Sequence, residues 1–206
     1  MRYLGPKNKI SRREGVDLGF KTPGTNSFNS LLKRLNVPPG QHKEKGRKKL
    51  SERGLQLREK QKLKFMFGIT EKQLKNYLKK AIQKKGNTAL YLSAYLESRL
   101  DNVIYRLGFA PTRAAARQLV THGHILVNNK KLTIPSYQVK INDLISFTNE
   151  KITKIPYVEK NLNNKDLVIP LWLKRDGFLG QVISYPNQDD IIKQFNLRLI
   201  IEYYSR

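Results

Sequence analysis

Apolar residues recur at helical spacing over much of the chain. Leu74, Tyr77, Leu78, Ala81 and Ile82 fall at i, i+3, i+4, i+7 and i+8, one stripe of an amphipathic helix. Thr70 with Gln73 gives that helix a capping box, and Gly86 gives it a stop. Lys72, Lys75, Lys79 and Lys80 take the opposite face. Upstream, SERGLQLREKQKLKFMFG reads as a basic, weakly periodic helix ending at Gly68; downstream, Leu90, Leu92, Ala94, Tyr95 and Leu96 make a densely apolar one. These elements predict a small helical bundle with a lysine-coated outside. A second stripe follows in Leu100, Val103, Ile104 and Leu107, closed by Gly108, with Arg99 and Arg106 on another face. Thr112 is placed to cap the next helix, RAAARQLVTH, in which Ala115 and Leu119 face inward before Gly123 ends it.

The period then changes from about 3.6 to 2. Ile125 and Val127 alternate with His124, Leu126 and Asn128, and Leu132 and Ile134 alternate with Lys131 and Thr133. Asn128-Asn129-Lys130 is a tight-turn signal, because Asn tolerates positive φ better than other side chains. Residues 136–140 and 143–147 read as two more short strands, with Asn142-Asp143 at the turn. Beyond Lys151 the pattern predicts a loop with a short helix, then a hairpin around Asp176-Gly177 with Trp172 as a core anchor. A helix is expected to begin within 189–195, and the closing LRLIIEYYSR is too apolar to dangle, so it should dock on the early helices.

The fold class that follows is α+β. A helical domain over 49–96, completed by 189–206, receives an inserted domain over 97–188. The core of that insert, 97–150, is two short helices packed on a small antiparallel sheet, and a C-terminal hairpin follows it. Residues 1–48 read as a basic, extended N-terminal arm, since RYLGPKNKISRREG and PPGQHKEKGRKKL are rich in charge, Gly and Pro. Such a segment buries too little alone to offset its ordering entropy and would order against a partner. Only SLLKRL within it suggests a helical turn.

Charge names the kind of partner. The 206 residues carry 40 Lys+Arg against 16 Asp+Glu, a formal charge of +24. That surplus repels itself unless a polyanion meets it. No apolar run approaches the roughly 18 residues of a spanning helix, and no cationic helix has a clean apolar face for a membrane surface. There is no cysteine, hence no disulfide or thiolate metal site. His42, His122 and His124 show no converging metal-ligand spacing, and no phosphate loop, nucleophile elbow or apolar-set carboxylate pair suggests catalysis. No cofactor is expected.

The candidate contacts are therefore cationic. Arg113 and Arg117 sit one turn apart, about 6 Å along the axis at ~1.5 Å per residue. Forked guanidiniums at that spacing suit successive phosphate oxygens. Arg99, Arg106, His122, Lys130 and Lys131 recur on neighbouring elements and complete the set. Glu97 and Asp101 lie four apart, on either side of Arg99, and are expected to ion-pair within the module. In the arm and first long helix, Lys7, Lys9, Arg12, Arg13, Lys43, Arg47, Lys48, Lys49, Arg53, Arg58, Lys60 and Lys62 are candidates for phosphate contacts without base readout.

LESRLDNVIYRLGFAPTRAAARQLVTHGHILVNNKKLTIPSYQVK resembles the RNA-binding module named after small-subunit ribosomal protein S-four. RYLGPK, PPGQH, GLQLREKQKLKFMFG and the terminal IIEYYSR resemble bacterial full-length members of that family, so the likeness runs nearly end to end. It implies a non-enzymatic constituent of the small ribosomal subunit that binds the small-subunit rRNA directly and early. It also implies nucleation of the particle's body and a place near the mRNA entrance that influences decoding accuracy. Neighbouring ribosomal proteins are implied partners, with mRNA near the entrance; a membrane and a second copy of the chain are not. The implied location is the ribosome of the cytoplasm, or of a plastid or other organelle.

Many members carry an N-terminal cysteine cluster for zinc, which is absent here, so no metal is carried over. The family's hairpin turn usually reads Asn-Gly where this chain has Asn128-Asn129, a cost of a few tenths to ~1 kcal/mol. Leu197 stands where Glu is common. The same module is appended to pseudouridine synthases and occurs in a ribosome-rescue protein. An RNA-modifying enzyme or a rescue factor is thus the alternative, although the rescue protein is usually shorter and lacks the arm.

Overall fold

The computed structural model describes residues 3, 5–41, 49–162, 167–186 and 195–205, without the side chain of 150. The chain forms two compact units, residues 1–83 with 192–206, and residues 84–191.

In the first unit, α1 (Lys7–Glu14) and α2 (Asn26–Lys33) precede α3 (Glu52–Met66) and α4 (Glu71–Ile82). The described part of the N-terminal segment is therefore helical in two places and not an extended arm. Ile10, Leu18 and Leu31 are buried, and long-range bonds supply what local propensity lacks. Arg12 donates to the carbonyls of Val37 and Pro38 at 3.0 and 3.1 Å, and Arg58 pairs with Glu14 at 3.0 Å.

The capping box on α4 is complete: Thr70 accepts from the Gln73 amide, and the Gln73 side chain accepts from the Thr70 amide. Leu74, Tyr77, Leu78 and Ala81 are buried as their spacing predicts, whereas Ile82, at the helix's end, is exposed. The terminal helix packs on α3 and buries Leu197 and Ile200.

The second unit opens with α5 (Thr88–Glu97), a helix that the sequence pattern assigns to the first domain. Next come α6 (Leu100–Arg106) and α7 (Arg113–Thr121), which pack on each other. Strands β1 (Ile125–Val127), β2 (Lys130–Lys131), β3 (Leu144–Phe147), β4 (Leu173–Asp176) and β5 (Leu179–Val182) make one antiparallel sheet in the order β2-β1-β3-β5-β4. Helix α8 (Pro156–Leu162) lies between β3 and β4 in sequence. The final helix of the chain, in the first unit, is α9 (Leu197–Ser205).

The period-2 positions Ile125, Val127, Ile145 and Phe147 join the helical stripe Leu100, Val103, Ile104 and Leu107 in one core, which also takes in Trp172. Each fully buried aliphatic side chain contributes about 1.5–3 kcal/mol. Gly180 of β5 allows the close approach: a Cβ there would collide with Leu107 Cδ1.

The β1–β2 turn holds Asn128 and Asn129 at φ +49 and +62. Asn128 offsets that strain, donating to Asp143 Oδ1 at 2.8 Å and accepting from the Leu144 amide at 2.9 Å. Residues 136–140, expected as a strand, form only one bridge, Arg99 to Gln138. Backbone groups of 135–139 serve the start of α6 instead, which has no side-chain cap. Tyr137 O and Pro135 O accept from the amides of Leu100 and Asp101, and the Val139 amide donates to Ser98 O.

Candidate nucleic-acid interface

The arginines of the second unit are built on buried acceptors. Glu97, at the end of α5, is fully buried and receives Arg106 as a bidentate partner, Nε at 2.9 Å and Nη2 at 2.7 Å. Asn102 donates to the Glu97 carbonyl at 3.0 Å and to Oε2 at 2.6 Å. Its own Oδ1 accepts from Arg113 Nε at 2.8 Å. The Arg113 guanidinium lies 4.4 Å from the ring centroid of Tyr105, within range of a cation–π contact. Burial pulls Arg113 below its ordinary value, opposed by Tyr105 and Glu97. Asp101 takes Arg99 bidentate, at 3.0 and 2.6 Å, and stands 3.7 Å from Arg117 Nη1. The ion pairing expected of Glu97 and Asp101 is thus present, with each carboxylate gripping one guanidinium by two bonds.

Arg99, expected as an RNA contact, has no exposed surface and cannot touch a ligand from this position. Its i+2 neighbour Asp101 draws it inward, so its part is structural. Arg106, Arg113 and Arg117 remain partly exposed; Glu97 and Asn102 hold the first two guanidiniums, and Asp101 stands near the third. Four guanidiniums share two buried carboxylates here, which leaves a local positive surplus on one helical hairpin.

His122, at the C-terminal end of α7, is exposed, and its ring lies 5.9 Å from that of His124. Lys130 and Lys131 form β2, both exposed. The Lys131 side chain passes over Gly123, where a Cβ would collide with it, so hairpin and helix end are neighbours.

The first unit treats its candidates differently. Lys9, Arg13, Lys49 and Arg53 are exposed, and Lys7 is half-buried. Arg12 is spent on the carbonyls of Val37 and Pro38, and Arg58 on Glu14. Lys62 pairs with Glu59. Lys60 is a second correction: it is buried, 2.8 Å from Glu71 and 4.4 Å from the ring centroid of Tyr203, inside the α3–α9 packing. Its partners are remote in sequence, so its helical position alone made it look solvent-facing. His42, Lys43, Arg47 and Lys48 lie outside the described residues.

Sequence reasoning missed Asn102 and Tyr105. The available signal was a polar Asn in the first turn of the stripe LDNVIY, between the apolar positions Leu100 and Val103, where its side chain needs a hydrogen-bond partner to be buried. Among the described residues no helix is long and apolar enough to cross a membrane. Nor do three His, Cys, Asp or Glu side chains gather where they could hold a metal ion, among the same residues.

Comparison with known proteins covers both units. Residues 2–97 match the family model of the ribosomal protein S4/S9 N-terminal domain, and 98–145 match that of the S4 domain. The model boundary at 97/98 follows sequence, whereas the compact units part at 83/84, so α5 is shared between the two descriptions. The small ribosomal subunit protein uS4 of Aquifex aeolicus (strain VF5) is 50% identical over 213 aligned residues, spanning 100% of this chain and 99% of that protein. The uS4 of Sulfurihydrogenibium sp. (strain YO3AOP1) is 48% identical over 99% of this chain and 98% of its own. That of Thermus thermophilus is 42% identical over 100% and 99%. Matched in both domains and along its whole length, this chain belongs to the small ribosomal subunit protein uS4 family.

Proposed function

We propose that the chain is a structural constituent of the small ribosomal subunit that binds small-subunit rRNA directly. The observation that carries this reading is the surplus of arginines, with Arg106 and Arg113 tethered and Arg117 beside Asp101, on an S4 domain whose neighbouring acids Glu97 and Asp101 are buried and already engaged. Guanidiniums held in place by protein groups reach phosphate oxygens with little further loss of side-chain entropy. The exposed candidates Lys9, Arg13, Lys49, Arg53, His122, Lys130 and Lys131, with Lys7, Lys62 and the outlying Lys43, Arg47 and Lys48, add phosphate contacts of the positioning kind. By the family likeness, binding comes early in assembly of the body, neighbouring ribosomal proteins then pack around the chain, and it acts on decoding accuracy near the mRNA entrance. The work is done by binding and by no bond-making step.

Co-sedimentation tests the proposal. The chain should travel through a sucrose gradient with the small subunit at one copy per particle. Finding it at the top of the gradient, or turning over uridine in an isomerisation assay, would favour the modifying-enzyme alternative.

A further inference from the structure

Helix α5 carries an aromatic pair that the arginine face does not use. Tyr91 and Tyr95 sit four residues apart on one side of the helix, while Leu92, Ser93, Leu96 and Glu97 form its buried side. Both residues are partly buried, and neither belongs to the hydrophobic cluster of the unit, unlike Tyr105 and Tyr137. Lys84 Nζ lies 5.2 Å from the centroid of Tyr91 and 5.3 Å from that of Tyr95, so one ammonium spans both faces. The Tyr91 hydroxyl donates to the Lys85 carbonyl at 3.0 Å, which fixes that ring against the preceding loop. Gly86, at φ +125, makes room for it: a Cβ there would stand 3.2 Å from the Tyr91 hydroxyl oxygen. From Lys84 to Leu96 the sequence holds no acid, and Glu97 beyond it is buried against Arg106.

A core would bury these rings, and a plain solvated face would carry charge in their place. An aromatic pair with one ring fixed, one lysine over both faces and a second lysine next to it in sequence matches what single-stranded nucleic acid demands: a flat π surface beside cations for the phosphates. We propose that Tyr91 and Tyr95 form a stacking platform for an unpaired nucleobase of the bound RNA, with Lys84 moving from the rings to an adjacent phosphate and Lys85 contacting the next. This rests on the rRNA-binding reading above and adds to it a base contact where the arginines offer ionic ones.

The test uses the full-length chain and in-vitro-transcribed small-subunit rRNA in filter-binding titrations across a salt series. Tyr91→Leu/Tyr95→Leu keeps apolar bulk and helix propensity but removes the π faces. It should weaken binding about 5- to 100-fold, the usual range for one base–aromatic stack, with the slope of log affinity against log salt unchanged. Tyr91→Phe/Tyr95→Phe should bind within about twofold of the unaltered chain, since rings alone are required. Lys84→Ala should flatten the slope by about 0.7–0.9, one phosphate contact. Ultraviolet crosslinking with iodouridine-substituted rRNA should mark the peptide holding Tyr91 and Tyr95.

Unaltered affinity in the Leu pair overturns the platform, as does equal weakening in the Leu and Phe pairs, which would point to the hydroxyls. Failure of the unaltered chain to bind rRNA at all overturns the reading beneath it. The circular dichroism of the Leu pair, matching that of the unaltered chain, separates lost stacking from lost folding.

Discussion

Among the described residues each unit of this protein buries one cation, and the two are held in different ways. In the second unit Arg99 is fully enclosed and gripped by two bonds from Asp101, itself almost without exposure. In the first unit Lys60 is buried at its own end, but its partner Glu71 is nearly half exposed, and two tyrosines of α9 close the site. The exposed cations follow suit. Arg106 and Arg113 are clamped by acceptors from below and Arg117 stands 3.7 Å from Asp101, whereas Lys72, Lys75, Lys79 and Lys80 stand out from α4 into solvent. A planar fork can be fixed in direction by a carboxylate or an Asn; an ammonium on a four-carbon stem cannot. The second unit therefore presents directed donors, and the first a diffuse field.

The sharpest way to break this contrast is to remove Asp101. Asp101→Leu leaves a guanidinium enclosed without its counter-charge, a change that costs about 3–5 kcal/mol. Trp172, the single tryptophan and a buried one in the same unit, reports the loss as a lowered urea midpoint in its fluorescence. Arg99→Met/Asp101→Leu should recover most of that loss, because apolar replacement of both partners removes the desolvation cost with the pair. If the double variant proved no more stable than the single one, the pair would be supplying packing and not charge compensation.

Next in size is the arginine pair itself. Arg113→Ala/Arg117→Ala should weaken rRNA binding and flatten its salt dependence by up to two phosphate contacts, each ~0.7–0.9 in log–log slope. Fluorescence of Trp172 under urea serves as the folding control. Affinity and slope both at the unaltered values would remove the basis for the proposed interface.

Much of this contrast could be read from the sequence, but not its decisive part. The stripe Leu100, Val103, Ile104 and Leu107 and the Thr70–Gln73 box are local patterns, set by residues within two turns of one another, and the structure realises both. The Asn128-Asn129 turn is local as well, and its strain is met by Asp143 and Leu144 just across the sheet. Helix α1 was hidden, and α2 showed only as a turn at SLLKRL, because each buries little hydrophobic surface of its own, Ile10 in one and Leu31 in the other. Their support comes from bonds that span 25 residues or more, such as Arg12 to Val37 and Arg58 to Glu14.

The same reason hid the fate of Lys60, whose partners lie at Glu71 and Tyr203. Arg99 was misassigned for another cause: an arginine is read as solvent-facing unless a carboxylate can follow it inside, and only the fold reveals that Asp101 does. The arginine face was legible in its residues, while the Asn102 link that aligns it was not.

Glu71 offers a smaller, pH-dependent test on the other side of the comparison. Burial pushes its carboxyl upward, but hydrogen bonds from Lys60 and Tyr204 and the charges of Lys60 and Lys64 outweigh that and hold it below its ordinary value. Tyr204, desolvated and donating to Glu71, is pushed above its ordinary range. A carboxylate whose folded value is depressed contributes stability that is present above its unfolded value and lost as pH falls through the folded one. The amides of α9 should accordingly lose exchange protection in Glu71→Gln at neutral pH. Below the ordinary carboxylate range the two proteins should converge, since a protonated Glu71 is as neutral as the glutamine that replaces it. Because Glu71 is half open to solvent, screening makes the gap smaller than that of Asp101. A gap that persisted unchanged into acid would assign the holding of α9 to the tyrosine rings alone.

The weakest effect belongs to the lysine face of α4. Lys75→Ala/Lys79→Ala removes two exposed ammoniums from a helix whose buried stripe is untouched, so unfolding should shift by no more than about 0.5 kcal/mol. Alanine's higher helix propensity partly offsets any lost solvation. On rRNA the pair should flatten the salt slope by less than Arg113→Ala/Arg117→Ala does. A mobile point charge occupies the condensed layer near a phosphate without holding one oxygen, whereas each tethered fork is aimed before the RNA arrives. The two double variants remove the same formal charge, so net charge cannot explain a difference between them. Equal slopes would mean that the buried acids and Asn102 shape the module without directing its arginines, and the distinction between the two units would reduce to stability alone.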